Sequence, residues 1–134
     1  MPSQTEVSEK EITIDASKEV DIRLHDIWVL EKIGDRVYRD VDFANGLPQL
    51  EIFVKECRIS GHDGCNMLMG SFENWSDTLV FGSMATTRIA CENMKASDDF
   101  RRRLEKQKFN FLIKSNRLIL KSEQAQTLVF KKID

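Results

Sequence analysis

Residues 109–114 alternate without a break: Phe109, Phe111 and Ile113 fall on one side, Asn110, Leu112 and Lys114 on the other. A two-residue period marks a strand with one face in a core and one towards water. Such a strand needs partners for its backbone edges, and the sequence supplies them close by. Ser115-Asn116 reads as a turn, and Leu118 and Leu120, then Leu128 and Phe130, supply two more strands. The end of the chain is therefore expected to be a three-strand meander with short connections.

Similar short signals recur upstream. Ile27-Trp28-Val29-Leu30 is an apolar run that stops before the turn pair Gly34-Asp35. After a loop at Asn45-Gly46-Leu47-Pro48, Leu50, Ile52 and Val54 share one strand face, and Cys57-Arg58-Ile59 resumes after a break. Met67 to Phe72 and Leu79-Val80-Phe81 are further strands, separated by a polar turn at residues 74–78. One segment reads as helix. It starts at a Ser97 cap or earlier, near Glu92, and Phe100 and Leu104 share a face four residues apart. The pairs Asp98/Arg102 and Asp99/Arg103 have the same spacing. So short a helix is marginal alone and needs a sheet beneath it. The fold class expected is mainly β (α+β): a curled antiparallel sheet or partial barrel with one helix packed on it.

The chain has 134 residues, which suits one domain and buries about two-thirds of the unfolded surface, enough to fold without a metal. Residues 1–20 are polar and read as a flexible tether, with an edge strand at Glu11 to Ile14, and the domain is expected over 21–134. Net charge is −2 with signs mixed along the chain, so there is no electrostatic case for nucleic acid. No stretch reaches the roughly 18 apolar residues of a membrane span, and no basic segment leads into an apolar one. Three cysteines allow one pair plus one thiol, or three buried thiols.

Two motifs stand out: Gly61-His62-Asp63-Gly64-Cys65-Asn66 and Ala85-Thr86-Thr87-Arg88-Ile89-Ala90-Cys91. In this order, with a helix after the second cysteine, they make the chain resemble the META domain, the family that includes HslJ-type bacterial heat-shock lipoproteins. The resemblance covers roughly Leu24 to Lys132. It implies a compact β-rich fold with one helix, an envelope or secreted setting often reached through a lipid anchor, and no established enzymatic activity. It also implies a disulfide between Cys65 and Cys91, with Cys57 outside the pattern. Such a bond would close a 26-residue loop and contribute roughly 3.5 kcal/mol.

The motif residues read as structural. Gly61 and Gly64 bracket a tight turn or bulge that needs positive φ, in which Asn66 bonds to nearby backbone. Thr87 belongs to the second motif, and Arg88 reads as a structural arginine bonded to carbonyls or an acidic partner, with anion or partner recognition as the second reading. Cys65 with His62 makes a poor nucleophile pair at three residues' spacing on a strand or turn. Cys57, His62 and Cys65 lack a fourth ligand and finger spacing. Arg101-Arg102-Arg103 reads as a solvated helix face. Trp28 belongs in the core, whereas Trp75 sits in a polar loop, as a contact residue or folded back. No catalytic residue, cofactor or metal is expected, and the leading expectation is a non-catalytic envelope module. The second is a binding module for a small apolar ligand or a protein partner, with Phe109, Phe111, Met67 and Met69 lining a cavity.

Overall fold

The computed structural model describes residues 20–133. Nine strands run in chain order: β1 Ile27–Ile33, β2 Arg36–Val37, β3 Gln49–Phe53, β4 Arg58–His62, β5 Met67–Trp75, β6 Thr78–Thr86, β7 Lys108–Lys114, β8 Arg117–Ser122 and β9 Thr127–Lys132. The helix α1, Met94–Leu104, lies between β6 and β7. Every pairing is antiparallel, in the order β2-β1-β3-β4-β5-β6-β7-β8-β9. The sheet curls until β9 pairs with β1, from Trp28 opposite Lys132 to Ile33 opposite Leu128. This is the curled sheet with one helix that the alternation predicts. The proposed strand at 11–14 and the tether lie outside the described residues.

The turns follow from local chemistry. Ser115 and Asn116 both have positive φ, the geometry a two-residue hairpin between twisted strands demands. Along β7, Phe109 and Phe111 are buried and Ile113 packs at the core's edge. Trp28, Leu30, Leu50, Ile52, Leu118, Leu120, Leu128 and Phe130 complete much of the interior, and Trp28 Nε1 donates to the Leu24 carbonyl at 3.0 Å. Val54 lies past the end of β3 but still packs on the core.

Three expectations need correction. The inward face of β5 is carried by Leu68, Phe72 and Asn74, so Met67 and Met69 point outward, 62% and 53% exposed. They do not line an interior beside Phe109 and Phe111. The polar turn is also tighter than expected, because β5 runs to Trp75 and β6 resumes at Thr78. Finally, of the two starts expected for α1 the earlier one, near Glu92, holds and the Ser97 cap does not: the helix begins at Met94, after Asn93 in the left-handed region, and Ser97 is buried inside it.

Ser97, Phe100 and Leu104 form the buried stripe of α1, and Phe100 meets Phe130 edge-on at 6.1 Å. Asp98 pairs with Arg101 at 3.2 Å, not with Arg102. Asp99 takes both Arg102, at 3.5 Å, and Arg103, at 2.8 Å.

The helix replaces a strand along part of β6. β7 pairs with β6 only from Thr78 to Val80. Beyond that, Phe81 N–H donates to the Gln107 carbonyl, Lys106 N–H to the Gly82 carbonyl, and Met84 N–H to the Glu105 carboxylate at 2.9 Å. The chain leaving α1 thus serves the edge of β6 as far as Met84.

Candidate functional site

The first motif turns between β4 and β5 around Asp63, whose side chain is fully buried. Its Oδ1 accepts from the Cys65 N–H at 2.9 Å and the Asn66 N–H at 2.7 Å, and its Oδ2 lies 3.4 Å from the Arg101 guanidinium. A buried carboxylate survives where charge and hydrogen bonds replace lost water. Gly61 is required by contact: a Cβ there would lie 2.0 Å from the Gln49 carbonyl oxygen on β3. Gly64 is required twice, by φ +93 and by the Phe43 ring packed on its Cα.

His62 is half-buried, and its Nδ1 accepts from the Gly64 N–H at 3.1 Å. Burial holds its pKa below the ordinary 6.5, against the opposing pull of the Asp63 carboxylate. The ring nitrogen nearest the turn is therefore committed to the turn, not to Cys65.

Asn66 reaches farther than its own turn. Its Oδ1 accepts from the Ile89 N–H at 2.7 Å and the Thr87 hydroxyl at 2.8 Å, while its Nδ2 donates to the Ile89 carbonyl at 3.1 Å. The carboxamide acts as one more strand partner, pinning the second motif to the first. Thr87 completes the clamp: its N–H donates to the Met67 carbonyl and its Oγ1 accepts from the Met67 N–H, both at 3.1 Å.

Beside this clamp the structure joins Cys65 and Cys91, with a Cα separation of 6.0 Å. Cys57 is a free thiol, half-buried on the edge of the core. With Cys65 in the bond, the triplet Cys57, His62 and Cys65 has no thiolate pair to offer a metal. Among the described residues, no group of three His, Cys, Asp or Glu side chains is placed to hold a metal ion.

Arg88 is the exception within the motifs. It is exposed, and among the described residues it makes no hydrogen bond or ion pair, in contrast to the anchored arginine expected. The buried-side arginine is instead Arg101, at Asp63. Arg88 stands at the mouth of a groove of about 550 Å³ between the 84–90 segment and α1. Met84, Thr86 and Ile89 line one wall; Met94, Arg101 and Glu105 line the other.

Two of these features were missed from the sequence, for different reasons. Asp63 had a local signal, an aspartate whose side chain serves N–H groups two and three residues on. The Asn66 clamp had none, because its partners lie 21 and 23 residues away.

Fold and site together define a class: a curled nine-strand sheet with one helix, in which two motifs are joined by a disulfide and a buried carboxamide. The META domain family model matches residues 20–134, and the chain belongs to that family. A search of curated proteins returned no match. Two solved structures share the fold. One is an NMR structure, 23% identical, with a TM-score of 0.63, covering 83% of this chain and 92% of its own. The other, an NMR structure of a protein from Burkholderia xenovorans, is 22% identical with the same TM-score of 0.63 and covers 98% and 96%.

Proposed function

We propose that this META domain is a non-catalytic module of the cell envelope or the secreted space, with a part in stress tolerance. The observation that carries the reading is the Cys65–Cys91 bond. Disulfides form and persist in oxidising compartments, and mesophilic cytosol keeps such thiols reduced. The absence of catalysis is argued from how the motif groups are spent. The Cys65 sulfur is bonded, His62 Nδ1 is occupied by Gly64, and both Asp63 oxygens are engaged. A nucleophile with an aligned base is what covalent catalysis would need. The stress role and the lipid anchor rest on the family resemblance alone.

The test uses the natural gene with its own upstream sequence, expressed in its host. Cells are fractionated, and thiols are alkylated under denaturing conditions with and without prior reduction. The reading expects the protein in the envelope or medium, with one alkylated cysteine before reduction and three after. A cytosolic protein with three alkylated cysteines in both samples overturns it.

A further inference from the structure

We infer that the edge formed by the end of β6 and the residues after it, from Met84 to Arg88, is a docking site for an extended peptide segment that carries a carboxylate, added as a strand in the groove beside α1.

The backbone register makes this edge available. Thr87 N–H donates to the Met67 carbonyl, and Ile89 exchanges hydrogen bonds in both directions with the Asn66 side chain. The odd-numbered residues 85, 87 and 89 therefore direct their backbone groups towards β5. In an antiparallel ladder the alternate residues face the opposite way. Met84 and Thr86, and Arg88 beyond them, accordingly turn theirs towards the groove. The Met84 N–H confirms the direction, since it meets Glu105 on α1. That carboxylate is the last element to serve this edge. The Met84 carbonyl, both backbone groups of Thr86 and the Arg88 N–H have no partner among the described residues.

Unpaired strand edges are usually blunted by charge, bulges or covering elements. Here the clamp does the reverse. Asn66 and Thr87 hold the segment beyond β6 extended at the edge of an open groove. This gives the motif residues a positioning role for a partner strand, independent of where the protein resides. The occupant's chemistry follows from the lining. Backbone donors and acceptors in alternation are answered by another extended backbone. Met84 and Met94 offer soft apolar contact suited to varied side chains. Arg101 is shared between Asp98 and the buried Asp63, and Glu105 gives one oxygen to the Met84 N–H, whereas Arg88 is exposed and makes no ion pair among the described residues. An incoming carboxylate, on a side chain or at a chain end, would answer Arg88.

The probe is a synthetic five-residue peptide rich in valine and threonine with a free C-terminal carboxylate. It is titrated to millimolar concentration into the oxidised, isotope-labelled full chain and followed by amide NMR. Two N-methylated forms of the peptide, blocked at alternate amides, separate edge pairing from loose apolar contact without altering the protein. Expected are saturable shifts centred on the Thr86 and Arg88 amides, loss of binding for one N-methylated form only, and roughly tenfold weakening by Arg88→Gln or by amidation of the peptide terminus. Unmoved Thr86 and Arg88 amides, shifts mapping elsewhere, or equal binding by both N-methylated forms overturn the proposal. The envelope reading is untouched by either outcome, because its own test reads location and thiols.

Discussion

Asp63 holds the turn of the first motif, because one buried oxygen serves two backbone N–H groups. Asp63→Ala leaves both donors buried and unpaired, and should cost about 3 kcal/mol in urea unfolding. Asp63→Asn keeps an oxygen for the turn and loses only the Arg101 contact, so about 1 kcal/mol is expected. Equal losses from the two variants would show that the carboxylate's charge, not its acceptor role, holds the turn. His62 adds a pH dependence of definite sign. Its folded pKa is lowered by burial, so below about pH 6.5 the unfolded chain binds a proton that the folded chain resists. Stability from this residue is full above that value and declines as pH falls through the window down to the folded pKa. Urea midpoints near pH 7.5 and near pH 5.5 should therefore differ more for the native chain than for His62→Gln. An identical drop in the two proteins would assign the dependence to other groups. What the sequence revealed at this scale was set by range. The glycines announce themselves as positive-φ positions, and Gly64 is one, whereas Gly61 lies in β4 without positive φ and is required instead by its close approach to Gln49. Asn66 and Arg88 look alike in sequence, two polar residues in motifs, yet one is buried in a clamp and the other faces solvent. Only distant partners decide which, and those are invisible in local spacing.

At the scale of elements, the same contrast separates β7 from β5. β7 alternates large apolar residues with polar ones, so its inward face is plain in the sequence. In β5, Met67, Leu68 and Met69 are all apolar, and parity has to be taken from Leu68, Gly70, Phe72 and Asn74 farther along. Asn74 faces inward because its carboxamide is fully engaged, accepting from the Asp21 N–H at 2.7 Å and donating to the Thr78 carbonyl at 2.8 Å. Trp75 next to it is 40% exposed, the half-covered outcome between contact residue and core. The helix was legible from Phe100 and Leu104, but its start only as a choice between Ser97 and the region of Glu92, since a left-handed Asn93 and no side-chain cap open it. Its stability must then come from the sheet. Phe100→Ala should cost about 4 kcal/mol and selectively abolish hydrogen-exchange protection across Met94–Leu104, while the β7–β9 meander keeps its own. Protection surviving in α1 would mean that the Asp98 and Asp99 ion pairs hold the helix by themselves, more than such exposed pairs ordinarily contribute.

Across the whole molecule, two closures of different kind coexist. The β1–β9 ladder shuts the ring on one side. On the other side, where β6 parts from β7, the second motif is tied to the first by the disulfide, the Asn66 carboxamide and the Thr87–Met67 exchange. A chain of this size buries enough apolar surface to fold without a covalent staple. The bond should therefore contribute to stability without deciding the fold. Its ends are 26 residues apart, so its loss is expected to cost about 3.5 kcal/mol through the freedom returned to the unfolded chain. The double variant Cys65→Ala, Cys91→Ala should remain folded, with amide shifts changed near residues 63–67 and 85–94 and unchanged in β1, β8 and β9. Urea unfolding gives the magnitude and the amide spectrum gives the location. Global unfolding of that variant would mean that the carboxamide clamp cannot hold the two motifs without the sulfur bridge. Unaltered stability would mean that the clamp already confines the loop in the unfolded chain. The expected intermediate result would leave β6's free edge positioned by hydrogen bonds, with the disulfide acting as reinforcement.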